Sequence, residues 1–433
     1  MKVIFYVGLV LAAPGLYAQS GPALAPISPP IALAPLSLAE CRALALEHNQ
    51  RLAAAGRRQR AAEAGHEATK TNRLPKLDFS GTGYYVHGLG NTLNTQGVTA
   101  GVGLTQTLYS GGRLRAQTAL ADVTAQVATA AVQATRQQQL TETDQTYWQT
   151  VALRDHVMLA ERNRTQLQAL VRDVDNKYRA GLAYQADLLR AQVQLRDAEV
   201  RLLRTRDDAL LIQLVLRQLI GRPAGDSLRL ADSVEGEFAT VSPADYAARA
   251  RAQRPDLRRL ALANQADSLQ LEVARSARWP QINASVNALY LRQKPGFLLP
   301  EANNTPAYAL VSVNLPLVHW QENRLLESQR RYLTQASRAD LAEAHQQVTL
   351  EVSRALLRLN QAARRIELQR LTLTQAQENL RLNDNRFRAG LLPLVDLLEA
   401  QTLSQRAATE LLDAKVEYRV AEAALAQATG EQF

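Results

Sequence analysis

The sequence predicts a mainly α-helical protein with a smaller β part, built from a tandem internal duplication. Three observations carry that expectation. Apolar residues keep a seven-residue step over two very long stretches, the mark of helices that supercoil in pairs. The stretches just before them change to strict alternation, the period of strands with two unlike faces. Each of these parts then occurs a second time, in the same order.

Composition agrees. Of 433 residues, 46% are hydrophobic but only 5% aromatic, so the apolar mass is mainly Ala, Leu and Val, as in long helices packed side by side. A mean hydropathy of −0.22 argues against a bundle of membrane-spanning helices. The best internal apolar run, 209–220, is broken by Gln213 and Arg217. The single cysteine, Cys41, allows no intramolecular disulfide and no Cys-based zinc site. The histidines at 48, 66, 87, 156, 319 and 345 form no metal-ligand pair, so neither a metal nor a cofactor is expected. The formal charge of +9 comes from 50 basic residues dispersed among 41 acidic ones, the pattern of solvated helix faces.

The N-terminus reads as an export signal. Met1-Lys2 precedes an apolar run over 3–13 and a small-residue exit, Gly15-Leu16-Tyr17-Ala18, which predicts a signal peptide over 1–18. No Cys follows it directly, so no lipoprotein anchor is expected, and export argues against a nucleic-acid partner. A Pro-rich leader covers 19–35. The first repeat runs over 36–221 as helix, β-hairpin (76–109), very long helix, tight turn and helix. A connecting segment, 222–254, carries Pro223, Gly225, Gly236 and Pro243. The second repeat, 255–433, has its hairpin at 281–317.

The duplication is direct. Tyr178-Arg179-Ala180-Gly181-Leu182 recurs as Phe387-Arg388-Ala389-Gly390-Leu391, and Asp187-Leu188-Leu189-Arg190-Ala191-Gln192 as Asp396-Leu397-Leu398-Glu399-Ala400-Gln401. The same register pairs Glu142 with Glu351, Ala198 with Ala407 and Gly221 with Gly430. Upstream, Arg73-Leu74-Pro75-Lys76-Leu77 matches Arg278-Trp279-Pro280-Gln281-Ile282. Val352, Leu359, Ile366, Leu373, Leu380 and Phe387 fall at seven-residue steps, as do Leu153, Ala160, Leu167 and Val174. Neither 113–177 nor 322–386 contains Pro or Gly, so each predicts a helix of roughly 100 Å.

Four strands are expected. Leu77, Phe79, Gly81, Gly83 and Tyr85 alternate with Asp78, Ser80, Thr82 and Tyr84; comparable alternation runs over 98–108, 282–290 and 309–317. Their length, about 9–11 residues, suits a tilted bilayer crossing. Tyr84, Tyr85, Tyr109, Tyr290 and Tyr308 at strand ends, with Trp279 and Trp320 at the base of the second hairpin, have the distribution of membrane-interface aromatics. Four strands cannot close a transmembrane barrel, and lipid does not tolerate open edges. Either several subunits share one barrel or the strands lie outside a membrane.

The two hairpins preceded by Pro75 and Pro280, the Tyr109-Ser110-Gly111-Gly112-Arg113 exit into a long helix, and the twin Ala-Gly-Leu turns together resemble the TolC-like outer-membrane efflux proteins. The resemblance covers nearly everything after Leu36. It implies a homotrimer whose subunits each give four strands to one twelve-stranded barrel, on a coiled-coil α-helical barrel through the periplasm. It implies an outer-membrane exit channel for a tripartite efflux or type I secretion system, with a periplasmic adaptor and an inner-membrane pump as partners. It further implies that Ala180, Gly181, Leu182, Ala389, Gly390 and Leu391 meet the adaptor. Asp187, Asp396 and Glu399 match positions at or near the periplasmic entrance, where three copies would make a ring of carboxylates.

Two gate positions depart from the family's best-known member. Phe387 stands where a Tyr would bond to the carboxylate equivalent to Asp187, and Leu392 stands where an Arg would contact it. That leaves Arg190, the repeat counterpart of Glu399, as a candidate substitute through an Arg190–Glu399 contact. The alternative function is a periplasmic coiled-coil adaptor or scaffold, which shares the heptads but needs no bilayer-length hairpins. No enzyme is expected: the chain has no nucleophile elbow, phosphate loop or HExxH, and Gly81, Gly83, Gly88 and Gly90 lack dinucleotide-loop spacing. Nothing in the sequence names a transported substrate.

Overall fold

The computed structural model describes residues 35–86, 95–226, 228–242, 245–293 and 302–431; the expected signal peptide, most of the leader and both hairpin tips lie outside them. The chain runs α1 (Leu38–His48), α2 (Gln50–Thr71), β1 (Lys76–Val86), β2 (Thr95–Tyr109), α3 (Arg113–Arg179) and α4 (Gln185–Leu219). It continues α5 (Tyr246–Gln253), α6 (Pro255–Ser276), β3 (Gln281–Gln293), β4 (Ala302–Asn304), β5 (Ala307–Asn314), α7 (Glu322–Arg388) and α8 (Leu394–Thr429). The duplication is present in the backbone. α3 and α7 are 67 residues each and α2 and α6 are 22 each.

Local chemistry fixes the helix ends. Ser37 and Glu40 form a reciprocal capping box at the start of α1, and the Asn49 side chain accepts from Leu52 N at 3.0 Å to restart the chain as α2. α5 falls inside the segment expected to be a connector and packs against α7 and α8, so helix resumes before the expected boundary at 255.

The sheet is antiparallel in the order β1-β2-β3, with β4 and β5 both pairing β3 as one interrupted strand. The interruption is at Thr305-Pro306, where Pro has no N–H to donate. Pro306 O still accepts from Leu289 N at 2.9 Å, so the two pieces stay in line. The strand expected over 309–317 ends at Asn314, two residues before Pro316.

Three apolar clusters hold the helices. One joins α1 to the middle of α3, with Cys41, Tyr147, Val151, Leu216 and Ile220 fully buried. Burial there pushes the Cys41 thiol up to about 12, as befits a core residue and not a nucleophile. Tyr147 donates to Asp232 at 2.6 Å and Leu38 N donates to the same carboxylate at 2.9 Å, which ties the connector to both. The second cluster lies along α7 and α8, with Val352, Leu359 and Ile366 of the heptad series at its centre. The third lies at the far tips of the long helices. The repeat-related glutamates each reach an arginine at the start of the preceding short helix, Glu142 to Arg51 at 3.4 Å and Glu351 to Arg254 at 2.6 Å, though the two arginines are not at equivalent positions.

Candidate functional site

Two ends of this shaft carry the features the sequence singles out. At the end away from the sheet, α3 and α7 stop in identical fashion. Leu182 N donates to Lys177 O at 2.8 Å and Gly181 N to Tyr178 O at 3.0 Å; Leu391 N donates to Arg386 O at 2.9 Å and Gly390 N to Phe387 O at 3.1 Å. These are Schellman caps, and Gly181 and Gly390 both sit at φ 74, a left-handed conformation that Cβ disfavours. Nothing lies within 4 Å of a Cβ built on either glycine, so the backbone angle alone demands Gly. The following leucines, Leu182 and Leu391, are each 79% exposed. A cap alone gives no reason to expose an apolar side chain twice. Ala180 and Ala389 are the C-cap residues, and Pro393 is the N-cap of α8, one step before its first turn.

The entrance residues separate into an apolar and an acidic set. Phe387 is buried with Leu170, Val174, Leu394 and Leu397, and Leu392 packs on the same cluster. Lys177 Nζ lies over the Phe387 ring at 4.1 Å from its centroid, while also 3.2 Å from Asp173. The seven-residue period does not reveal this contact, because a heptad reports the face of a helix and not what crosses from another. Asp187 and Asp396 stand three residues past the N-caps of α4 and α8, where the helix dipole favours acids. Arg190 Nη1 lies 3.7 Å from Asp187 of its own helix. The expected Arg190–Glu399 contact is absent within the subunit, because the i, i+3 acid on the same helix takes the guanidinium first. Asp396 and Glu399 are exposed on one face of α8 and form no ion pair among the described residues.

At the other end the sheet is amphipathic. Leu77 pairs with Leu104, which pairs with Val286, which pairs with Ala309; Phe79, Val102, Ala288 and Ala307 make the next row. The opposite face is mainly polar, with Asp78, Ser80, Thr82, Thr99, Asn283, Ser285, Asn287 and Ser312 beside three leucines, Leu289, Leu291 and Leu310. Leu77 and Phe79 are 70% and 75% exposed, so no part of the subunit covers the apolar face. A bulge between Thr107 and Tyr109 brings Tyr109 opposite Ile282, onto that apolar face. Tyr85 and Tyr290 share it. Tyr84 and Tyr308 do not. Tyr84 lies on the polar face over Gly97, where any Cβ would collide with its ring, and Tyr308 is on the same side opposite Asn287. Both sit one residue out of register with the apolar row, and the strand period of two sends them the other way. Trp279 and Trp320 are exposed at the sheet's base.

An exposed apolar sheet face backed by a polar one, with open edges and carried on 67-residue helices, defines a β-barrel membrane protein with a helical extension. Residues 42–222 and 247–431 match the profile of outer membrane efflux proteins, and the chain belongs to that family. It is 26% identical over 290 residues to the pyoverdine export outer membrane protein OpmQ of Pseudomonas aeruginosa, covering 64% of this chain and 56% of that protein. The OpmQ of Pseudomonas putida is 26% identical over 267 residues, covering 59% and 54% respectively. The chain thus spans about half the length of these curated relatives. Among solved structures, the fold is similar to that of CusC, at TM-score 0.82 and 19% identity over 91% of this chain and 92% of that one. It is also similar to VceC of Vibrio cholerae, at TM-score 0.78 and 18% identity over 91% and 96%. Membership places the protein in the outer membrane, extending into the periplasm.

Proposed function

We propose that three copies of this chain form an outer-membrane exit channel that passes substrate from an inner-membrane pump and its periplasmic adaptor to the outside. The carrying observation is the sheet: four strand paths with an exposed apolar face, a polar face and free edges at β1 and β4/β5. Three such sheets close twelve strands and leave no edge in lipid. The polar face then lines the lumen. The long helices continue that lumen across the periplasm, and the Ala-Gly-Leu turns with their exposed leucines are the surface offered to the adaptor. Asp396 and Glu399 line the entrance, with Phe387 and Leu392 holding it by apolar packing.

Light scattering on the detergent-solubilised protein tests the assembly. A trimer that resists SDS is expected, and a monomer overturns the channel reading. Co-purification with outer-membrane fractions after a salt wash separates the channel from a periplasmic adaptor, which salt releases.

A further inference from the structure

All four strand-to-helix junctions meet at one end of the sheet, at 72–75, 110–112, 277–280 and 315–321. Basic residues crowd there. Segments 70–76, 113–115, 275–278 and 319–331 hold three, two, two and three Lys or Arg and two acids, Glu322 and Glu327, while Glu67 and Glu272 just outside them pair with Lys70 and Arg275 at 2.6 Å each. Glu327 is spent on its neighbours, with Arg275, Arg278 and Arg331 at 3.4, 2.7 and 2.9 Å. Arg73, Arg113, Arg115 and Arg324 pair with no carboxylate among the described residues, and the Arg113 Nε is buried without a hydrogen-bond partner. The first, second and fourth junction regions thus each keep at least one arginine without a carboxylate partner, Arg73, Arg113 with Arg115, and Arg324.

A second, independent observation marks the same level. The junction entering α3 turns through Gly111 at φ 60 and Gly112 at φ 86. The repeat-related junction entering α7 makes the same left-handed turn with Trp320 at φ 42 and Gln321 at φ 67. A bulky residue in that region is strained where glycine is not. Trp320 is nonetheless 90% exposed, with Leu317 and Val318 at 84% and 70% beside it, so no packing within the subunit accounts for the strain. An indole held out at the base of an apolar sheet face has the chemistry of a headgroup-level anchor.

We propose that this collar of unpaired arginines and strained Trp320 binds anionic phospholipid headgroups of the periplasmic leaflet, fixing the depth of the barrel. The proposal rests on the sheet being the membrane-spanning part. Charge complementarity selects the occupant: the arginines supply fork-shaped donors to phosphate oxygens while the indole and Leu317 enter the acyl boundary.

The test uses the full chain as a trimer, with phosphatidylglycerol and phosphatidylcholine as probes in native mass spectrometry. The wild type is expected to retain phosphatidylglycerol about tenfold or more over phosphatidylcholine, with the preference falling as salt rises. A variant with Arg73, Arg113, Arg115 and Arg324 all changed to Gln is expected to lose that preference while remaining trimeric. The same four positions changed to Lys should keep most of it. Trp320→Gly is expected to leave the trimer's melting temperature equal or higher, since the turn relaxes, yet to weaken partition into vesicles. An intact Gln variant that keeps the wild-type lipid preference overturns the proposal. So does a collar-dependent attachment to isolated peptidoglycan with no lipid preference, which would assign the arginines to the cell-wall polyanion. A wild-type chain that fails to enter vesicles at all removes the membrane sheet itself, an outcome distinct from loss of lipid selectivity.

Discussion

Lys177→Gln removes the cation from above the Phe387 ring and leaves the apolar cluster beneath it untouched. The ammonium sits 4.1 Å from the ring centroid, and the Lys177 side chain is 29% exposed, so the contact is partly desolvated. Such contacts are worth about 0.5–1 kcal/mol when open to water and about 2 when dry, so about 1 kcal/mol per subunit is the reasonable figure here. If the three tips of the proposed trimer open together, the loss is about 3 kcal/mol, which is roughly a hundredfold shift in the closed-to-open equilibrium. Open probability in planar bilayers reads this directly. Lys177→Arg retains a cation at the ring and should restore most of the closed population. Phe387→Ala is the wrong probe, because deleting a buried ring costs about 3–5 kcal/mol and loosens the whole tip. A double-mutant cycle with Phe387→Leu isolates the pair: zero coupling energy between the two positions, with melting temperatures unchanged, refutes the reasoning that this contact helps hold the tip closed.

Gly181→Val with Gly390→Val forces two Cβ atoms into left-handed turns, at about 1–2 kcal/mol each, and should abolish efflux in a susceptibility assay without lowering trimer yield. Asp396→Ala with Glu399→Ala should remove block by trivalent cations added from the periplasmic side, since up to six carboxylates then leave one axis; block that persists puts the ring on other residues. Arg190→Ala should leave conductance unchanged, because within the subunit its partner is Asp187 and not the opposing tip. Burial alone would raise the Asp256 carboxyl, but hydrogen bonds of 3.0 and 2.6 Å from Arg254 and that residue's charge outweigh it and hold the group below its usual range. Its stabilisation is therefore complete above the unfolded value of about 3.9 and is lost as pH falls through the lower folded value. Melting curves of wild type and Asp256→Asn should differ at pH 7 and converge in strong acid.

Periodicity made the long elements legible. The absence of Gly and Pro over 113–177 anticipates a helix that runs Arg113–Arg179, and the alternation from Leu77 to Tyr85 anticipates a strand with one greasy face. The twin turns were legible because Gly is the residue that left-handed caps require. What stayed hidden depends on partners distant in sequence. Nothing in the heptads says that Lys177 reaches Phe387, that Arg42 and Asp144 form a two-pronged pair at 2.7 Å, or that Tyr147 donates to Asp232. The facing of Tyr84 and Tyr308 was hidden for a different reason. Aromatic residues at strand ends suggest an interface, but which interface they meet follows from parity within the strand, and parity puts these two toward the polar side.

The repeats match in backbone and differ in burial, and that difference bears on assembly. Tyr178 and Phe387 end the two long helices at the same repeat position, yet Phe387 is 9% exposed and Tyr178 40%. Within the subunit α3 lies between α4 and α8, while α4, which packs on α3, and α7, which packs on α8, α6 and α5, each keep an exposed flank. Those flanks are apolar. Leu189, Val193, Val200, Leu203, Leu210 and Leu214 remain exposed along α4 at steps of four, seven, three, seven and four residues, which is the spacing of a coiled-coil seam. Leu350, Leu357 and Leu371 remain exposed along α7 at multiples of seven. Two unlike seams on opposite flanks make a head-to-tail contact, which closes into a ring only when the rotation per subunit divides a full turn. The sheet supplies the same requirement from the other end, with free edges at β1 and at β4/β5 that lipid does not tolerate. The proposed threefold ring would satisfy both at once, burying the seam of α4 on the next subunit's α7 and closing twelve strands without an edge.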